Sequence, residues 1–270
     1  MLAIVAEALG LPARLRWSSA AMLASALDCR SVLLVLDNCE HLADACSLLV
    51  ETLLCQSPAL CVLATSRQPL MAGCETVIRV PALDLPAPGE GDPARLAGSG
   101  AVALFVARAA AATALANGAF APDARSLAAI ATICRRLDGL PLAIELAAAQ
   151  VPGLGLQRIA AGLDDVLRLL QGPSATATPR HRTLRAALDW SYVLLPAAAQ
   201  RALRRLAELP AWFTLDEAGA LLRPVFSSHE TIDSLAALAA HSLLVVEHGQ
   251  QARFRLLATT RAYALSLGKY

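Results

Sequence analysis

The chain is 270 residues long, with 56% apolar residues, only 4% aromatics and a net charge of +1. So balanced a charge excludes a surface built throughout for nucleic acid. No uninterrupted apolar run reaches the roughly 20 residues that a membrane span needs, while the length allows a sizeable core shared among two or three small units.

Residues 1–28 read as two helical segments around the turn Gly10-Leu11-Pro12. Ser31-Val32-Leu33-Leu34-Val35-Leu36-Asp37 follows, a continuous Val/Leu run that ends abruptly in an acid. Such a run predicts a strand buried on both faces of a parallel sheet. Residues 41–56 predict a helix with Leu42, Cys46, Leu49, Val50 and Leu53 on one face. A second strand is expected at Leu60-Cys61-Val62-Leu63-Ala64-Thr65, ahead of Ser66-Arg67, and a third at Thr76-Val77-Ile78-Arg79-Val80, ahead of Pro81. Strand, helix and strand with short links are the pattern of an open α/β sheet. Ligands of such sheets sit beyond the carboxyl ends of the strands, so Asp37 and Thr65-Ser66-Arg67 are expected to share one sheet edge.

The Pro- and Gly-rich segment 81–99 reads as a linker. Helices are expected near 100–116, 123–137, 142–151 and 155–170, with Asp138-Gly139-Leu140-Pro141 turning the chain between the second and third. A second linker at 172–180 leads to helices near 182–194, 197–208, 214–222 and 229–240. Short strands at 242–247 and 252–257 then flank a hairpin turn at His248-Gly249-Gln250-Gln251, and a last helix closes the chain. Helices followed by a hairpin point to a winged helix rather than a plain bundle. The fold class is therefore α/β followed by all-α, with boundaries at 1–82, 83–172 and 180–270.

The amino terminus carries no basic leader and no export cleavage site. Among seven cysteines there is no Cys-x-x-Cys pair and no zinc spacing. Reduced, mostly structural thiols in a cytoplasmic protein are the expectation.

Several residues have the chemistry of a polyphosphate site. A carboxylate at the end of a buried strand, Asp37, suits Mg²⁺ beside a nucleotide's phosphates; equally, it suits the cap of the helix beginning near Glu40. An arginine at the neighbouring strand end, Arg67, suits a terminal phosphate, although alone it reads as a surface residue. Gly139-Leu140-Pro141-Leu142 alone reads as an interhelical turn, with Pro favoured in a first helical turn.

Taken together, these blocks resemble a family. Leu33–Leu42 resembles the Walker B segment of bacterial STAND-type regulatory ATPases, relatives of the NB-ARC proteins, and Ala64–Leu70 resembles their sensor 1. Gly139–Ala147 resembles their GLPL motif; Arg180–Tyr192 and Arg255–Ala264 resemble the two ends of their winged helix. The resemblance covers nearly the whole chain, in the family's order, and is nearest to the ATPase modules of bacterial transcriptional activators. It implies a partial P-loop NTPase sheet, a small helical domain and a winged-helix domain, working as an ATP/ADP switch with Mg²⁺. Asp37 would organise the metal, and Thr65, Ser66 and Arg67 would face the nucleotide, with Arg67 sensing the γ-phosphate; water activation would fall to Glu40 or to nothing, Glu40 equally suiting the first turn of its helix. Gly139, Leu140 and Pro141 would line the nucleotide, with Pro141 near the adenine. The winged helix would close over ADP and swing away with ATP, as differential contacts to the two ligands require.

The chain also departs from that pattern. No Gly-x-x-x-x-Gly-Lys-Ser/Thr occurs, so the backbone amides and lysine that cradle phosphates are not in this sequence. The expectation is a chain starting after its P-loop, lacking the first strand and helix of the sheet, impaired in hydrolysis, and relying on a further N-terminal segment, an effector domain or self-association. Asn38 stands where many such ATPases carry a second acid. Ala258 stands where relatives often carry one, and no histidine falls there. The alternative is a DNA- or protein-binding winged helix with no nucleotide role, for which Arg201, Arg204 and Arg205 offer a small basic patch. Its bland counterpart is a solvated helix face. No Ser/His/Asp or Cys/His arrangement supports other enzyme chemistry.

Overall fold

A parallel pair of strands forms where the chain offers its first two β runs: β1 (Val32–Leu36) and β2 (Leu60–Ala64), in register from Val32 opposite Leu60 to Leu36 opposite Ala64. The computed structural model describes residues 1–12, 17–27, 31–163, 183–209, 212–247 and 249–268. They divide into two units, Met1–Arg79 with Ala240–Ser242, and Val80–Ala239 with Leu243–Tyr270.

In the first unit, α1 (Leu2–Ala8) and α2 (Ala20–Ala26) precede β1, and α3 (Ala43–Gln56) crosses from β1 to β2. The Ser19 hydroxyl starts α2 by accepting from the Met22 amide, satisfying one of the amides a helix leaves unpaired at its amino end. Cys46, Leu49, Val50 and Leu53 are the buried face of α3. Leu49 and Leu53 join Leu23, Leu34 and Leu60 in the unit's core.

Two sequence expectations fail here. The strands are covered on one face only: Leu34 is buried, but Leu33, Val35 and Leu63 are 63%, 55% and 54% exposed. Leu33 stands opposite Cys61 and Val35 opposite Leu63, so the open face is apolar. Among the described residues Thr76–Val80 has no ladder partner, and Ile78 and Val80 are 81% and 90% exposed. β-branched composition makes a segment able to join a sheet, but only a neighbouring strand makes it one. The described parallel sheet has two strands.

The second unit begins at Val80, just ahead of the segment read as a linker, and part of that segment is helical. α4 (Pro93–Gly98) starts at Pro93 under an Asp92 cap; proline at the first helical position gives up an amide that has no partner there anyway. α5 (Gly100–Leu115), α6 (Ala124–Arg136), α7 (Pro141–Ala149), α8 (Val151–Leu154) and α9 (Leu156–Gly162) follow. Ala101, Val102, Phe105 and Ala109 of α5 share a core with Ile130, Ile133 and Cys134 of α6 and Ala143, Ile144 and Ala147 of α7. Small residues at these positions let the helices approach closely. The predicted helix to residue 170, the linker 172–180 and Arg180–Arg182 extend beyond the described residues.

The same core continues through α10 (Leu184–Val193), α11 (Ala197–Leu206), β3 (Phe213–Thr214), α12 (Leu215–Leu222), α13 (Ser228–Ala240), β4 (Val245–Glu247), β5 (Arg253–Arg255) and α14 (Ala258–Leu267). The three strands form an antiparallel sheet in the order β3-β5-β4. The predicted hairpin is present with shorter strands; His248 at its turn lies outside the described residues. Thr214 and Glu217 form a capping box that starts α12. Phe213 stacks on Phe254 with ring centroids 6.0 Å apart, tying β3 to β5. Among the described residues no helix is long and apolar enough to cross a membrane.

Candidate functional site

The carboxyl ends of β1 and β2 carry the first cluster. Leu36 and Ala64 are partners in the ladder, so Asp37 and Thr65 leave adjacent strands side by side. Thr65 ties the strand ends together through backbone and side chain. Its amide donates to the Leu36 carbonyl at 2.9 Å, and its carbonyl accepts from the Cys39 amide at 2.9 Å. Its hydroxyl accepts from the Asn38 amide at 2.9 Å and donates to Asp37 Oδ1. Asn38 turns the chain back with φ 63° and ψ 53°, a left-handed setting that asparagine tolerates better than most residues. Asp37 caps no helix: α3 begins at Ala43, six residues later, after a 3₁₀ turn over Cys39–His41.

Glu40 is buried at 6% exposure, and its Oε1 lies 3.6 Å from Arg67 Nε. Gln68 Nε2 donates to the Glu40 carbonyl at 3.4 Å, and the Ser66 hydroxyl accepts from the Gln68 amide at 3.3 Å. The expected water-activating acid and the expected phosphate sensor are thus paired with each other. Sequence reasoning gave His241 no part in any site. It belongs to the same unit as this pair, and burial and the charge of Arg67 hold its imidazole below the usual histidine range, with Glu40 opposing. Among the described residues no group of three or more His, Cys, Asp or Glu is arranged to hold a metal ion.

The second cluster is the turn between α6 and α7. Asp138 and Gly139 have φ of 54° and 68°, the left-handed geometry common after a helix. Gly139 is required for a further reason: a Cβ there would stand 2.5 Å from the Leu83 carbonyl oxygen. The Leu83 amide donates to the Gly139 carbonyl at 3.0 Å, so backbone meets backbone at this point. Leu140 is half-buried and Pro141, the first residue of α7, is exposed.

Sequence reasoning passed over Asp138. Its carboxylate is buried and bridges two elements of the winged helix: Oδ1 accepts from Arg255 Nη1 at 3.1 Å, and Oδ2 accepts from the Ala258 amide at 2.6 Å. Burial pushes its carboxyl above the ordinary range, while the Ala258 amide and the Arg255 charge pull it partly back. The Arg255 guanidinium also lies over the Trp212 ring, 5.2 Å from the centroid, and that of Arg253 lies 5.9 Å away.

The expected basic patch of α11 divides in its surroundings. Arg201 is exposed and lies 5.7 Å from the Phe226 ring centroid; Arg204 is exposed and Arg205 half-buried. Two helices further along, α13 reads Ser-His-Glu-Thr-Ile-Asp-Ser-Leu-Ala-Ala-Leu-Ala-Ala and contains no Arg, Lys, Asn or Gln. Thr231, Ser234, Leu235 and Leu238 are its buried side, leaving Ser228, His229, Glu230, Ile232, Asp233 and Ala236 exposed. Asp233 pairs with His229 at 2.9 Å, and Glu230 is taken up by the Ser227 amide and hydroxyl, both at 2.8 Å.

Residues 195–267 match the family described as a winged helix-turn-helix domain. A protein of Mycobacterium tuberculosis named as an HTH-type transcriptional regulator is 42% identical over 269 residues, covering 97% of this chain and 28% of its own length. A counterpart in Mycobacterium bovis has the same identity and coverage. An uncharacterized protein of Mycobacterium tuberculosis is 38% identical over 262 residues, covering 96% of this chain and 63% of its own length. The chain therefore spans little more than a quarter of the regulators it resembles. It carries a winged helix-turn-helix domain and is homologous to proteins named as transcriptional regulators.

Proposed function

We propose that this chain is a regulatory segment of a transcriptional regulator, and that its winged helix is a docking module that meets protein rather than DNA bases. The observation that carries this reading is the outer face of α13. Base edges in the major groove are read most often by Arg and Lys at guanine and by Asn and Gln at adenine, and the neighbouring phosphates call for positive charge. α13 supplies none of these residues and presents Glu230 and Asp233 instead. Ile232, 51% exposed between two acids, suits an apolar and basic protein surface. Arg201, Arg204 and Arg205 belong to α11, and give the module at most a sequence-independent attraction to polyanions. The test is titration of the 270-residue chain with duplex DNA at two salt concentrations. The expected result is weak binding that vanishes as salt rises and is the same for unrelated sequences. Tight binding confined to one sequence contradicts the reading.

A second reading, the ADP/ATP switch, is favoured by one observation: Asp37 and Thr65 leave the carboxyl ends of two adjacent parallel strands, where open α/β sheets place their ligands. In that reading Asp37 holds a nucleotide-bound Mg²⁺, which would neutralise phosphate charge, and Arg67 turns from Glu40 to a terminal phosphate. The sequence holds no glycine-rich phosphate cradle, so those contacts must come from another segment. ADP binding in the presence of Mg²⁺, lost in Asp37→Ala, supports the switch. Equal behaviour of the two chains removes it.

A further inference from the structure

Two exposed helix faces of the winged helix carry opposite charges at the same spacing. On α11, Ala199, Ala202, Leu203 and Leu206 are buried, while Arg201 and Arg204 are exposed and three residues apart. On α13, Glu230 and Asp233 are exposed and also three residues apart, with Ile232 between them in the chain. Side chains three residues apart are neighbours on a helix surface, so the two pairs set their charges at the same separation.

The faces lie side by side on one molecule. Arg201 stands over the Phe226 ring, 5.7 Å from its centroid and just ahead of α13. The Ser227 amide and hydroxyl, and after them the charge of Arg201, hold the Glu230 carboxyl below the usual carboxylate range. A carboxylate has two accepting oxygens, and the local bonds use Oε2 of Glu230 and Oδ2 of Asp233. The other oxygen of each can accept from an outside donor. Exposed ion pairs fix orientation more than affinity, and Val225 and Ile232, 53% and 51% exposed, supply apolar contact beside them. A net charge of +1 leaves little general repulsion between copies of the chain.

We propose that the partner met by this module is a second copy of the same chain, with Arg201 and Arg204 of one copy against Glu230 and Asp233 of the other. Because both faces belong to one domain, the contact is reciprocal. α11 of each copy meets α13 of its partner, and a two-fold axis closes the pair as a dimer. The inference rests on the docking reading of the winged helix and narrows it to one partner.

Sedimentation equilibrium of the 270-residue chain over a range of concentrations tests it, with Arg204→Glu, Asp233→Lys and the two variants mixed. The wild type is expected to form a dimer that weakens as salt rises. Each variant alone is expected to dimerise at least tenfold more weakly, because both of its reciprocal contacts set like charges together. The mixture is expected to regain the wild-type strength, since in a mixed pair the two reversed side chains meet each other and the two native ones do the same. A wild-type chain that stays monomeric at every concentration overturns the proposal. So do variants that dimerise like the wild type, or a mixture no stronger than its components. A monomer that also ignores DNA sequence removes the second copy and leaves the docking module standing, whereas sequence-specific DNA binding removes the module reading itself.

Discussion

Tyr263 on α14 donates its hydroxyl to Asp189 Oδ1 on α10 at 2.7 Å, joining a helix inside the matched winged-helix span to one that precedes it. Tyr263 is 1% exposed and meets Tyr192 edge to face, with ring centroids 5.9 Å apart. α10 is therefore tied to the winged helix by a buried phenol, and residues 184–193 belong with it physically. Tyr263→Phe keeps the packing and removes the bond; since Asp189 is half-exposed, the expected loss is about 1 kcal/mol, read from urea unfolding.

The same phenol sets an alkaline limit. Burial, together with the Asp189 carboxylate, pushes its pKa above the usual tyrosine value. An acid whose folded-state pKa is raised contributes stability in full below its unfolded value, about 10, and loses it as pH climbs towards the folded one. Thermal unfolding is expected to be insensitive to this group below that pH and to fall more steeply above it in the wild type than in Tyr263→Phe.

Gly139→Ala is the most damaging small change predicted. The left-handed backbone costs an alanine about 1–2 kcal/mol, and the Cβ contact with the Leu83 carbonyl adds to it because backbone cannot step aside as a side chain does. A loss of at least about 2 kcal/mol in chemical unfolding is expected. Alanine at Gly153, where no atom lies within 4 Å of the added Cβ, is expected to do no harm.

The two faces of the parallel strands predict opposite responses. Leu34, 5% exposed in the core of the first unit, should cost about 2–4 kcal/mol when cut to alanine. Leu63, 54% exposed, should change stability by no more than about 0.5 kcal/mol when made threonine. Paired denaturation curves separate the two.

Thiol labelling follows the same division. Of the six described cysteines, Cys55, Cys61 and Cys74 are exposed and Cys39, Cys46 and Cys134 are buried. Burial pushes the thiols of Cys39 and Cys134 up to about 12, so almost none of either is the reactive thiolate at neutral pH. Iodoacetamide is expected to modify the exposed three in the folded protein and the buried three only on unfolding.

Much of the helical architecture was legible because its signals are local. α6 announces itself with an Asp123 cap and a 3.6-residue apolar period, and α7 with Pro141 at its first position. Asp37 and Thr65 were legible as neighbours because two apolar runs of equal length ended in polar residues. Thr76–Val80 misled because pairing belongs to the partner as much as to the run. α4 was hidden by the prolines around it, one of which starts it. Asp138 was missed since its role is set by Arg255, 117 residues away, and an acid before Gly-Leu-Pro looks like ordinary turn chemistry. The α13 face was readable from its letters, but only the buried side identified by the fold shows which of them face out.

The measurement that bears most directly on the proposed function is selection of DNA by the chain from a pool of random-sequence duplexes at physiological salt. The account predicts that repeated rounds enrich no common sequence, because α13 offers acids and an isoleucine and none of the basic and amide side chains that most often read bases. Enrichment of one shared sequence, abolished by Ile232→Asp on the outer face of α13, would show that the winged helix reads DNA and would contradict it.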